Sequence, residues 1–306
     1  MPMHPFIAAL IPLAATFPLL AGQEAAQPAT TVDVLAIKTD QHDRMTVPVR
    51  VGEKGPFRFL IDTGAQNTVL SIALAGRLEL RPSKKVHLIG VAGTQEVDSV
   101  LIDQIDLGQR SFYGLLAPLL AGDDIGAEGI LGLDSLQGQR VQIDFRNGLI
   151  AVDDAKALGG NKGYEIVVTA RRRSGQLIMA DATIDGIKVN VVIDTGAEYS
   201  IGNRVLQNAL AKKHGGGTMV LRSVTGQEIT ADLGFANALK IDDMNFGNLV
   251  IAYADAPPFE KLGLAVKPAL FLGMRDMRAL DRIAIDFSTR RIYFDLPQGT
   301  RRPSGK

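Results

Sequence analysis

The chain has 306 residues, enough for two medium domains with cores of their own, and its lack of cysteine excludes thiol nucleophiles, disulfides and cysteine-based zinc sites. Its 33 Lys and Arg balance 33 Asp and Glu, so bulk charge points neither to nucleic acid nor to an anionic membrane as partner. Stability must come from packing, and partner choice from local sites.

Residues 1–23 carry no Asp, Glu, Lys or Arg, and Phe6 to Ala21 is a 16-residue apolar run. That is shorter than the ~20 residues of a spanning helix, and Pro12 and Pro18 interrupt it. Residues 1–30 therefore read as an export signal and the first residues of the mature chain, with an uncleaved membrane anchor as the rival reading. From Thr31 onward, turn-punctuated apolar runs dominate: "MTVPVRV", "FRFLID", "EVDSVLIDQIDL" and "RVQIDF", then "EIVVTA", "LIMADATI", "VNVVID", "RIAIDF" and "RIYFDL". Their alternation predicts an all-β architecture with few short helices. The clearest helix spans Asn203 to Lys213, where Asn203 can cap and Val205, Leu206, Ala209 and Leu210 share a face.

The runs repeat. Residues 31–152 and 164–297 each contain strand, turn, strand, "IDTGA", a short helix, a "V-x-G" hairpin, a Leu-Gly signature and a closing "IDF" strand. The hairpins are "GVAGTQEV" and "SVTGQEI", and the Gly signatures are "GILGLD" and "LFLGMR". The Gly-rich, charged "DDAKALGGNKG" (153–163) reads as a solvated linker, and 298–306 as a tail.

Asp62 and Asp194 end apolar strands at the same place in the two halves, and Thr68 and Ser200 follow at equal offsets. A lone carboxylate buried at a strand end costs several kcal/mol unless it is hydrogen-bonded or neutralised. Two of them brought together share one proton, because like charges about 3 Å apart cannot both ionise. One is then an acid and the other a base, a pair able to activate water against a peptide carbonyl without metal or cofactor. Gly64 and Gly196 let backbone amides approach the carboxylates, and Thr63 and Thr195 can tie the two loops together.

On these motifs the chain resembles the aspartic peptidases of the retropepsin and pepsin clan over nearly the whole of both halves. The resemblance implies a bilobal acid-protease fold of two pseudo-two-fold-related β-barrel lobes, with Asp62 and Asp194 catalytic and Thr63, Gly64, Thr195 and Gly196 in the catalytic loops. It further implies flaps around Val91, Ala92, Gly93 and Val224, Thr225, Gly226, with Gly132 and Gly273 in strands beneath the aspartates. The expected partner is a polypeptide in extended conformation, with no cofactor, metal or nucleic acid, and the two lobes pairing within a monomer. A non-catalytic peptide-binding module of the same fold is the alternative. Together with the signal, the resemblance points to a bacterial periplasm.

Three departures stand out. No tyrosine occurs in the first hairpin, "HLIGVAGTQEV". Gln66 and Asn67 follow the first DTGA where Glu198 follows the second. Ala65 and Ala197 replace the hydroxyl that pepsins place after DTG, which removes a stabiliser of the ionised acid and predicts an optimum less acidic than that of digestive pepsins. The histidines, His4, His42, His87 and His214, have no metal-ligand spacing, Arg171 to Arg173 read as a solvated turn, and Met274 and Met277 as core filler. Asp144 and Asp286 of the "IDF" pair lack a following Thr-Gly and read as structural, binding backbone or arginine.

Overall fold

The computed structural model describes residues 34–36, 38–39, 44–210 and 215–297. The expected export signal and tail, the last residues of the expected 203–213 helix, and His4, His42 and His214 lie outside the described residues. The described part is mostly β and bilobal.

Each lobe is a barrel of six strands. In the first, Met45–Val51, Lys54–Ile61, Gly129–Leu131, Val69–Ser71, Arg110–Leu120 and Ser99–Leu107 are neighbours in that order, and Val51 pairs back with Ile105 to close the ring. In the second the order is Gln176–Ile184, Ile187–Ile193, Ala269–Leu272, Ser200–Gly202, Met244–Tyr253 and Glu228–Ile241, closed by Ala182 against Ile241. Closure removes exposed sheet edges. In both lobes the short central strand runs parallel to the strand that ends in the motif aspartate, Leu131 opposite Ile61 and Leu272 opposite Ile193. Strands buried on both faces explain the continuous apolar runs "FLI" and "VVI", whereas Met45–Val51 alternates towards its outer end.

A third sheet joins the lobes. Its antiparallel order is Val34–Ala36, Leu149–Asp153, Arg140–Asp144, Arg282–Asp286, Arg291–Asp295 and Ile166–Thr169. The two "IDF" strands lie side by side at its centre, Val141 opposite Ile285 and Ile143 opposite Ile283, all buried. Their aspartates are structural, as the sequence suggests. Asp144 accepts from the backbone and side-chain nitrogens of Asn147. Asp286, fully buried, takes Arg140 Nη2 at 2.9 Å, Ser288 Oγ at 2.6 Å and the Thr289 amide at 2.8 Å. Burial pushes its carboxyl up, but these donors outweigh burial and hold it below the usual range. Arg140 also donates to Gly160 O and Asn161 Oδ1, and its guanidinium lies 4.3 Å from the Tyr293 ring centroid. The 153–163 segment thus forms turns that help to seat a buried cation.

Local expectations hold with two corrections. The helix at Arg204–Leu210 is capped by Asn203, whose Oδ1 accepts from the Leu206 amide, and it buries Leu206 and Leu210. Ala209 is exposed, so its apolar face is narrower than the sequence suggests. Arg171–Arg173 is an exposed strand rather than a turn, paired with the start of Gln176–Ile184. The turn itself falls at Ser174 and Gly175, both at positive φ. Met274 and Met277 are fully buried.

Candidate active site

Asp62 follows the buried Phe59, Leu60 and Ile61, and its amide donates to Leu131 O at 3.0 Å; the Asp194 amide donates to Leu272 O at the same distance. Each motif loop therefore leaves its barrel anchored to the short central strand. Beneath each loop a hydroxyl fixes the turn. Thr68 Oγ1 donates to Asp134 and accepts from the Gly132 amide, while Ser200 Oγ donates to Asp276 and accepts from the Gly273 amide. Gly132 and Gly273 stand just past the central strands, at the starts of Leu133–Leu136 and Met274–Met277, rather than within the strands. A Cβ there would meet the backbone of Asn67 or Tyr199 within 2.6 Å, so glycine is required.

The two loops meet. Thr63 and Thr195 are buried, and each amide donates to the other's hydroxyl, at 3.0 and 3.2 Å. Thr63 Oγ1 donates to Ile193 O at 2.9 Å and Thr195 Oγ1 to Ile61 O at 2.6 Å, so each hydroxyl reaches the strand of the opposite lobe. A Cβ on Gly64 would fall 2.7 Å from Asp194 Oδ1, and one on Gly196 would overlap the Asp62 carboxyl. The Asp62 and Asp194 carboxyls hydrogen-bond to each other. Thus Asp62, Thr63, Gly64, Asp194, Thr195 and Gly196 lie in one cluster.

The two acids are not equivalent. Burial raises Asp62, against which the amides of Gly64 and Ala65, at 2.7 and 3.0 Å, and then the charge of Arg44 act to lower it. Burial and then the Asp62 charge push Asp194 up to about 8. The Gly196 amide bonds Asp194 at 3.0 Å as the Gly64 amide bonds Asp62, so the difference between the two lies in Arg44, whose charge favours ionised Asp62, and in the Asp62 charge, which disfavours ionised Asp194.

Residues 47–138 match the "gag-polyprotein putative aspartyl protease" family model, and residues 180–275 match the "Aspartyl protease" family model. The two matched segments contain Asp62 and Asp194 respectively, one to a lobe. The chain belongs to the retropepsin-like aspartic peptidases. Among curated proteins no relative matches it.

A cavity of about 690 Å³ opens above the two acids of this peptidase, between the lobes. Two hairpins cover it. The first, Val86–Gly90 with Gly93–Val97, pairs among the described residues only with itself; the second joins Gly215–Arg222 to Glu228–Ile241. Their tips touch, with Gly90 against Ser223 and Gly93 against Gln227, and no side chain other than hydrogen fits at Gly90 without displacing Ser223. The tips also cross over: Val91 of the first hairpin packs against the apolar cluster of the second lobe, and Val224 of the second hairpin against that of the first. Of the expected flap residues, Val91 and Val224 line the cavity, whereas Ala92, Gly93, Thr225 and Gly226 do not. They shape the turns instead, with Gly93 and Gly226 at positive φ.

In this peptidase an ion pair, Arg222 Nη2 to Asp124 Oδ1 at 2.6 Å, ties the second hairpin to the first lobe. Arg222 is 60% exposed, so the pair contributes ~0.5–1 kcal/mol. Arg222→Ala is expected to speed hydrogen exchange at the hairpin tip several-fold while leaving barrel amides unchanged.

Sequence reasoning missed this clasp and two further cavity residues, Arg44 and Gln176. The signal for the latter was present. Each stands 18 residues before the aspartate of its half.

Proposed function

We propose that the chain is an endopeptidase that cleaves extended polypeptides through a water activated by Asp62 and Asp194. The observation that carries this reading is the meeting of the two carboxyls, one from each lobe, at the floor of the cavity. Ionised Asp62 takes a proton from the water as its oxygen attacks the scissile carbonyl carbon, while Asp194 donates its proton to the carbonyl oxygen. The tetrahedral intermediate collapses when Asp62 passes its proton to the leaving nitrogen and Asp194 recovers one from the hydroxyl. No covalent enzyme intermediate forms. Crossed hairpins and apolar walls limit the access of bulk water to the reacting groups beyond the one water that attacks, which strengthens the charge interactions inside. In this reading the two lobes of one chain pair within a monomer, and the substrates are exported or envelope proteins of a bacterial periplasm, a placement supported by the N-terminal apolar run.

Incubation of the purified chain with an unfolded protein, with and without pepstatin, tests the activity by mass spectrometry of the products. Internal cleavage blocked by pepstatin is expected. An intact substrate that nonetheless binds would leave a peptide-binding module. The pH profile follows from the two acids. Cleavage requires Asp62 ionised and Asp194 protonated, so the rate rises as Asp62 loses its proton and falls as pH passes about 8. An optimum well above that of digestive pepsins is expected, and a peak near pH 2 would contradict the assignment.

A further inference from the structure

Gln176 belongs to the second lobe but touches the motif loop of the first. Its Nε2 donates to Gly64 O at 2.5 Å, and Gln66 Nε2 returns a bond to Ser174 O at 3.2 Å. A carbonyl only accepts, so the Gly64 contact fixes which way the Gln176 amide faces. Its Oε1 is buried and has no partner among the described residues, although Gln176 is only 4% exposed and lines the cavity above the two acids. A buried acceptor without a donor costs ~1–3 kcal/mol, and a donor arriving with a ligand would relieve that.

The register shows what stands at the equivalent place in the other lobe. Thr46 pairs with Leu60 as Ile178 pairs with Val192, which sets Arg44 opposite Gln176 across the pseudo-two-fold. Arg44 carries only donors. A site with two-fold symmetry accepts a peptide in either direction. Arg44 Nη2 is given to Ile125 O at 2.6 Å, so the asymmetry rests on an acceptor at Gln176 with none at its counterpart, and it breaks that degeneracy because an extended backbone presents N–H and C=O groups in a directional order.

We propose that Gln176 is a substrate-binding residue whose Oε1 accepts one backbone N–H of the bound polypeptide and so helps to fix the direction in which the chain lies. This rests on the peptidase reading, and binding measured beside cleavage keeps the two separable. The probe is an octapeptide with apolar side chains at its two central positions, chosen to suit the walls at Val69, Ile130, Ile201 and Phe271. A series of analogues replaces one amide N–H at a time by an ester oxygen. With the wild-type chain, one position is expected to lose about tenfold in kcat/KM and in Kd, the worth of one hydrogen bond. In Gln176→Met the same ester is expected to bind and react as well as its amide. Gln176→Lys keeps a donor for Gly64 O but offers no acceptor, and is expected to behave like the Met variant, which covers the case in which Met does not fold. Ester penalties in these variants equal to those of the wild type at every position would overturn the proposal. Binding without cleavage would instead overturn the peptidase reading and leave the ester comparison valid.

Discussion

Replacing either Asp62 or Asp194 with asparagine is expected to lower kcat by about three orders of magnitude or more, since in the proposed mechanism each variant loses one half of the acid–base pair and general acid–base catalysis supplies ~10²–10⁴ per group. Fragment yield from an unfolded protein measures it, and unchanged cleavage in either variant would end the assignment. The same substitution has a second effect, on stability, with the opposite sign. The Asp194 carboxyl sits near 3.8 in the unfolded chain and about 8 when folded. A group raised in this way favours the folded state below pH 4, and that contribution is lost as pH rises through about 8. The wild type should therefore melt at progressively lower temperature across this window. In Asp194→Asn the share of that decline due to Asp194 disappears and only that of Asp62 remains, so the variant is expected to exceed the wild type in Tm by a margin that grows from pH 4 to pH 8. Activity and stability would thus be opposed at one residue, as expected where two acids are held together in a dry place.

Arg140→Ala is expected to have the largest effect on stability. It removes the partner of Asp286 at the seam between the lobes and leaves a fully buried carboxylate supported only by Ser288 and Thr289. Breaking one side of a buried ion pair costs ~3–5 kcal/mol, about 10 °C in Tm for a chain of this size. The folded Asp286 carboxyl lies below its ordinary value, so its contribution is present above the unfolded pKa and is lost as pH falls through the folded one. Thermal melts at pH 7 measure the cost. The double variant Arg140→Met/Asp286→Leu, which replaces the pair by apolar volume, is expected to recover much of it; a double variant as unstable as the single one would contradict this account.

Much of the architecture was legible because the repeat made each weak signal a double one. "IDTGA", the Leu-Gly signature and "IDF" each occupy the same place in both lobes, and Thr68 and Ser200 make the same bonds beneath their loops. The placement of Gly132 and Gly273 was approximate because a strand three or four residues long leaves its boundary to the backbone hydrogen bonds. Arg171–Arg173 was misread because charge run and turn are the same signal in composition, whereas pairing with Gln176–Ile178 is a property of the folded chain. The clasp between Arg222 and Asp124 joins residues 98 apart and has no counterpart in the repeat. No periodicity could expose it. Arg44 and Gln176 escaped notice for the converse reason: they do correspond, but differ in chemistry, and a search for sameness passes over them.

The central pairing of Arg140–Asp144 with Arg282–Asp286 has a consequence for how the halves depend on one another. Either half produced alone would carry an open five-residue border of unpaired N–H and C=O groups with an apolar face, which invites a copy of itself or an aggregate. Produced together but unlinked, the halves would seek each other by complementation across that border. Besides seating Arg140, the 153–163 segment then serves as a tether that keeps the correct mate at high local concentration, ahead of any stranger.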